Sequence, residues 1–179
     1  MPRAPVSAYS HTIFVTSLFE MPHFVRELSP VRVLSIIQPE FQPDRPHGLE
    51  PAQHLRVAVH DISERLPDQI LAAHRDVEAL VGFVEGWEPS EGAFLAHCYA
   101  GISRSTAAAL IAATIKTGDP HRSALHLRAA APHAQPNRRI IALADEVLDL
   151  GGALISARES MGEATSLPEG PLTVLRIGS

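Results

Sequence analysis

With 179 residues, 45% of them hydrophobic and 20% charged, the chain has the size and composition of one soluble globular domain with a core of its own. A net charge of −5 supplies no general basic field for nucleic acid or an anionic membrane, so any anion must be bound locally. A single cysteine excludes an internal disulfide and speaks against a structural zinc site, no run approaches the ~20 apolar residues of a membrane span, and residues 1–10 lack a secretory leader's apolar stretch; these features predict a cytoplasmic protein.

In chain order, residues 10–18 are rich in β-branched side chains and predict a first strand, followed by a short helix over Phe19–Leu28 that stops at Ser29-Pro30. The run Val31–Ile37 is almost continuously apolar, as a central strand covered on both faces must be. A proline-rich loop over 38–51 leads to a strand at Leu55–Val59 that ends at His60-Asp61. Residues 69–84 place Ile70, Val77, Leu80, Val81 and Val84 mostly on one face and predict an amphipathic helix.

A turn over Trp87–Gly92 precedes the apolar run Ala93–Ala96, which predicts a strand. The Ala-rich run Thr106–Ile115 predicts a helix packed closely on the sheet. Further helices are expected at Arg122–Ala131 and Asn137–Leu150, separated by a Pro-marked turn and closed by Gly151-Gly152. Asn137 reads as a helix cap. In the tail, Ser160–Gly170 reads as loop and Pro171–Ile177 as a late strand or a strap. Strands alternating with helices predict a single α/β domain with a mainly parallel central sheet of four to five strands flanked by helices.

Between the strand at 93–96 and the helix at 106–115 lies His97-Cys98-Tyr99-Ala100-Gly101-Ile102-Ser103-Arg104-Ser105. A loop running from strand to helix can turn several backbone N–H groups on one anion, aided by the positive end of the helix dipole. Gly101 allows backbone angles that a larger residue resists, and the Arg104 guanidinium can hold two phosphate oxygens at once. Helix N-termini and cationic neighbours favour thiolate, so Cys98 at the base of this cradle is placed to attack phosphorus. Ser105 can hydrogen-bond the sulfur, and His97 is expected to order the loop rather than exchange protons.

The pattern Cys-x5-Arg-Ser behind a histidine, with Gly101 inside it, resembles the protein tyrosine phosphatases, and most of all their dual-specificity and small bacterial members. The segment Ala131–Asn137 followed by an apolar helix is similar to the Pro-Asn segment of that superfamily. The match runs in order over residues 10–150, which implies a phosphatase-like catalytic domain over 1–150 and an extension over 151–179 packed on the same domain.

The resemblance implies phosphomonoester hydrolysis through a phosphocysteine, with residues Tyr99, Ala100, Gly101, Ile102, Ser103 and Arg104 binding the phosphate and neither a metal nor a cofactor needed. It also implies an aspartic acid 30 to 40 residues before the cysteine as general acid. Asp61 lies 37 positions before Cys98, with Asp68 and Glu64 as competitors in the same loop. Expected partners are phosphorylated proteins or small phosphomonoesters, and phosphate, sulfate or vanadate-like anions. The uncharged Tyr99, Ala100, Ile102 and Ser103 disfavour phosphoinositide headgroups, whose phosphatases in this superfamily carry lysines there.

Two other readings remain open at this level: a phosphate-binding module without turnover, and a rhodanese-like sulfur transferase, in which His97 and Ser105 have no role. With no second cysteine, reversible oxidation of Cys98 must pass through a cyclic sulfenamide or an external thiol.

Overall fold

A computed structural model describes residues 6–178. Five strands, β1 (Thr12–Thr16), β2 (Arg32–Ile36), β3 (His54–Val57), β4 (Phe94–His97) and β5 (Thr173–Arg176), form one sheet in the order β3-β2-β4-β1-β5. The first four are mutually parallel, and β5 adds antiparallel to β1 at the edge. The predicted α/β domain with a mainly parallel sheet is therefore the observed one. The near-continuous apolar runs of β2 and β4 are explained by burial on both faces.

Helix α1 (Met21–Leu28) covers one face, packing Met21, Val25 and Leu28 on Phe14, Val33 and Leu95. Helices α2 (His74–Glu85), α3 (Arg104–Thr117), α4 (Pro120–Ala130), α5 (Arg138–Val147) and α6 (Ala153–Ser160) cover the other, around a core that includes Ile13, Leu34, Phe94 and Leu110. In α3 every residue from Arg104 to Thr114 is buried, which is why its sequence shows no polar stripe and is built of alanines that let the helix approach the sheet. No helix among the described residues is long and apolar enough to cross a membrane.

Two sequence expectations need correction. The helix expected over 69–84 begins only at His74, and Ile70 is exposed instead of lying on its apolar face. Residues His60 and Ile70 form a bridge: the His60 amide donates to the Ile70 carbonyl and the Ile70 amide to His60 Nδ1, each at 2.9 Å. That holds 69–73 extended until Asp76 accepts from the Ala73 amide and caps α2. In the tail, α6 forms between Gly152 and Met161, where no helix is expected from the sequence. Its first turn is fixed from outside, by Asp145 accepting from the Gly152 and Leu154 amides.

Parallel strands deliver their C-terminal ends to one edge. There the chain leaves β1 at Ser17, β2 at Ile37 and Gln38, β3 near Val59 to Asp61, and β4 at Cys98. Such an edge is where α/β sheets assemble their sites.

Candidate active site

Cys98 follows β4, the middle strand, and Arg104 opens α3, so residues 98–103 form the connection. Four carbonyls of this loop point outward, each held by an N–H from elsewhere. The amide of Leu18 donates to Tyr99, that of Gly170 to Ala100, that of Gln135 to Ile102 and that of Asn137 to Ser103, at 2.8–3.1 Å. In a trans peptide the following N–H points the opposite way. The amides of Ala100, Gly101, Ser103 and Arg104 are thereby directed to the concave side. Ser103 occupies the N-cap of α3 without capping it, so the helix's first N–H groups are not consumed by a side chain. Gly101 has φ 71°, and a Cβ there would lie 2.9 Å from the Thr16 carbonyl carbon, so glycine is required by both conformation and space.

Arg104 is 3% exposed. Its Nη1 donates to Gln38 Oε1 at 2.7 Å and to the Val59 carbonyl at 2.9 Å, which fixes the plane of the guanidinium. Its Nε is buried with no hydrogen-bond partner among the described residues. A buried charged donor left unpaired costs about 1–3 kcal/mol or more, so this fork is prepared for an acceptor. Cys98 Sγ lies 3.0 Å from Ser105 Oγ, and both are buried.

His97 is fully buried, and its Nε2 lies 2.6 Å from Ser35 Oγ, which in turn lies 2.8 Å from His54 Nε2. His97 Nδ1 faces the Cys98 carbonyl at 3.4 Å. One arrangement of protons satisfies every contact: His54 Nε2–H donates to Ser35, Ser35 donates to His97 Nε2, and His97 Nδ1–H donates to the carbonyl. Both rings are then neutral. Burial pushes the His97 pKa down to about 4 and, with help from Arg56 and Arg45, does the same to His54.

Burial thus keeps both rings uncharged at neutral pH. Because folded values lie below the ordinary 6.5, stability from this chain is complete above pH 6.5. It falls as the pH drops towards 4, where the unfolded chain takes up protons that the folded one refuses. The buried His97 alone gives a slope of up to about 1.4 kcal/mol per pH unit in that window, and the partly exposed His54 adds less. Urea midpoints at pH 7, 6 and 5 should fall in step; a flat series would refute the neutral pair.

The tail reaches this loop from behind. Besides the Gly170 amide, Glu169 accepts from Ser17 Oγ at 2.5 Å. A Cβ on Gly170 would sit 2.7 Å from His133 Nε2 and 3.0 Å from the Gly101 carbonyl. Gly170→Ala must therefore displace either the buried His133 or the loop itself. It should lower thermal stability by about 1–3 kcal/mol. Unchanged melting would show that the tail merely lies alongside.

Asp61 sits across the opening. Its Oδ1 accepts from Ser103 Oγ at 2.7 Å and Asn137 Nδ2 at 2.9 Å. Asn137 also donates to the Ile62 carbonyl and accepts from the Ile140 amide, so one side chain caps α5 and braces the Asp61 loop. Asp61 is the one carboxylate among the residues lining the open cavity of ≈ 530 Å³ in front of Cys98. Asp68 and Glu64 are exposed and do not line it; Asp68 occupies a left-handed turn with φ 59°.

The structure thus gathers Cys98, Arg104, Ser105, His97, Asp61 and the loop 99–103 at one place. Sequence reading missed Gln38 and Phe41, which come from the proline-rich loop. It also missed Arg138 and Arg158, which line the same cavity. Exposed Tyr99 lies between Phe41 and Phe19, with ring centroids 5.3 and 5.2 Å away.

No family model and no curated protein sequence matches the chain. Solved structures do. It aligns with the Cydia pomonella PTP-2 phosphatase over 92% of this chain and 93% of that one, with a TM-score of 0.59 and 20% identity. Human DUSP28 aligns over 79% and 90%, with a TM-score of 0.58 and 17% identity. A human tyrosine phosphatase-like serine/threonine/tyrosine-interacting protein aligns over 78% and 92%, with a TM-score of 0.56 and 17% identity. The fold is that of the protein tyrosine phosphatases. Within this phosphatase fold, the cradle after β4 is the strand-to-helix loop that the sequence pattern singled out.

Proposed function

We propose that the protein is a phosphomonoester hydrolase acting through a phosphocysteine, with phosphotyrosine or another aryl phosphate as substrate. The unpartnered Nε of the buried Arg104 carries this reading: a rigid cationic fork beside a cysteine, under a ring of inward amides, suits a tetrahedral dianion. The Tyr99 and Phe41 rings at the mouth suit an aromatic leaving group.

In the first step the Cys98 thiolate attacks phosphorus, the bond from phosphorus to the leaving oxygen breaks, and Asp61 gives that oxygen its proton. In the second, the Asp61 carboxylate takes a proton from water, whose oxygen attacks phosphorus. The P–S bond then breaks and inorganic phosphate leaves. Ser105 donates to the departing thiolate. Loop amides and Arg104 stabilise charge on the equatorial oxygens in both steps, the main demand in phosphoryl transfer.

The test is release of inorganic phosphate from a small aryl phosphate, with acid-quenched protein assayed for phosphate on Cys98. Turnover with labelled Cys98 supports the reading. Tight vanadate binding without turnover would make the protein a phosphate-binding module.

A further inference from the structure

Between α6 and β5 the chain crosses behind the loop 98–103, tied down along its path. Arg128 donates to the Met161 and Gly162 carbonyls at 3.0 and 3.3 Å, and through Nη1 to those of Pro132 and Ala134. The Thr165 amide donates to the Pro132 carbonyl at 2.9 Å. Glu169 Oε1 then accepts from Ser17 Oγ, and the Gly170 amide donates to the Ala100 carbonyl at 2.8 Å. From Thr173 onward the chain is fixed by pairing with β1.

The ties at Glu169 and Gly170 close a circuit. Ser17 and Leu18 leave β1 together: the Leu18 amide holds the Tyr99 carbonyl while the Ser17 hydroxyl holds Glu169. Glu169 is followed by Gly170, which holds Ala100, the residue after Tyr99. Two consecutive cradle residues are thus held by two segments 152 positions apart, and the Ser17–Glu169 hydrogen bond joins those segments to each other. Ser17 is fully buried and Glu169 is exposed.

What the circuit fixes is a peptide plane. The Ala100 carbonyl points at Gly170, so the Gly101 N–H points into the cradle. Gly101, at φ 71°, is the residue beside which a reversed plane costs least, because glycine accepts both signs of φ. Reversal would present a carbonyl oxygen to the bound anion in place of a donor. The Gly170 amide opposes that reversal, and its reach depends on where Glu169 is held.

We propose that Glu169 is a positioning residue for the reaction: through Ser17 it seats the Gly170 amide on the Ala100 carbonyl and keeps the Gly101 donor aimed at the phosphate. This rests on the phosphatase reading of the site. The segment between α6 and β5 is then a working part of the cradle.

Glu169→Ala, Glu169→Gln, Ser17→Ala and the double variant Ser17→Ala/Glu169→Ala test it, each assayed well below its melting temperature. Glu169→Ala should lower kcat for a small aryl phosphate about tenfold, a fraction of the ~10²–10³-fold that a lost oxyanion donor costs. Vanadate should weaken by the same factor while KM moves less, because the donor acts most on the transition state. Glu169→Gln keeps the acceptor without the charge and should restore both. Ser17→Ala should match Glu169→Ala, and the double variant should lose no more than either, since all three break one link.

Wild-type kcat and vanadate affinity in Glu169→Ala overturn the proposal. So does a glutamine variant as poor as the alanine one, full additivity in the double variant, or a loss that follows the fraction unfolded. If wild type binds vanadate without turnover, the phosphatase reading fails alone, and vanadate affinity in the same variants decides the brace. If wild type does neither, both fail.

Discussion

Cys98→Ser should lose hydrolysis of a small aryl phosphate by ~10⁴-fold or more, the scale of loss when a covalent nucleophile is removed, while still folding and binding phosphate oxyanions. The exchange of sulfur for oxygen is nearly isosteric at a side chain that is 2% exposed and packed beside Ser105, so the cradle should keep its shape. What it removes is the sulfur nucleophile, since a serine hydroxyl needs a base to become one. No such base is present: among the described residues the sulfur's recorded side-chain partner is the Ser105 hydroxyl. His97 is turned away towards Ser35, held neutral by burial with a pKa of about 4.

The amides and Arg104 stay in place, so vanadate or a phosphopeptide should still bind, and the variant should co-purify with phosphorylated ligands. Melting temperatures of the two proteins compare the folds, and equilibrium titration compares the affinities. Retained turnover in Cys98→Ser would end the phosphocysteine mechanism. Loss of turnover together with loss of binding and of a cooperative melt would show that Cys98 serves the core instead.

How much of this was readable in the sequence depended on how locally each feature is encoded. The cradle is contiguous, from His97 to Ser105, and its strand and helix announce themselves by apolar runs buried on both sides. Asp61 is harder, because what singles it out is contact with Ser103 and Asn137, 42 and 76 residues away; spacing alone left Asp68 and Glu64 as competitors. Gln38 and Phe41 gave no signal, since a proline-rich loop has no periodicity to read. Nor did Gly170, whose contribution is a backbone amide. Helix α6 buries only Leu154 and Ala157 and starts at two glycines, so its pattern is too thin to distinguish from a loop. Ile70 misled for the opposite reason: it fits a helical face by spacing, but the bridge to His60 holds it extended.

Asp61→Asn should reduce kcat/KM for an aryl phosphate by about 10²–10³-fold, within the usual range for a general acid, and remove the basic limb of the pH–rate profile. Asparagine is the informative replacement because Asp61 also braces the opening. The amide oxygen can still accept from Ser103 and Asn137, as Asp61 Oδ1 does at 2.7 and 2.9 Å, so geometry is retained and only the proton is lost. Asp61→Ala removes both, and a larger loss in Ala than in Asn measures the brace.

Two further readouts separate acid catalysis from positioning. The deficit should grow with the basicity of the leaving phenol, since a poor leaving group depends most on protonation. With a very good leaving group, the first step should escape the defect while hydrolysis of the phosphocysteine, which needs Asp61 as base, does not. A burst of phenol and accumulation of phosphorylated Cys98 should follow. If Asp61→Asn keeps the wild-type profile and Asp68→Asn or Glu64→Gln does not, the acid lies elsewhere in the 61–70 loop and Asp61 is only its anchor. The position of Asp61 argues against that outcome: it alone among the three lines the cavity in front of Cys98, tied by Ser103 to the loop whose leaving group it must reach.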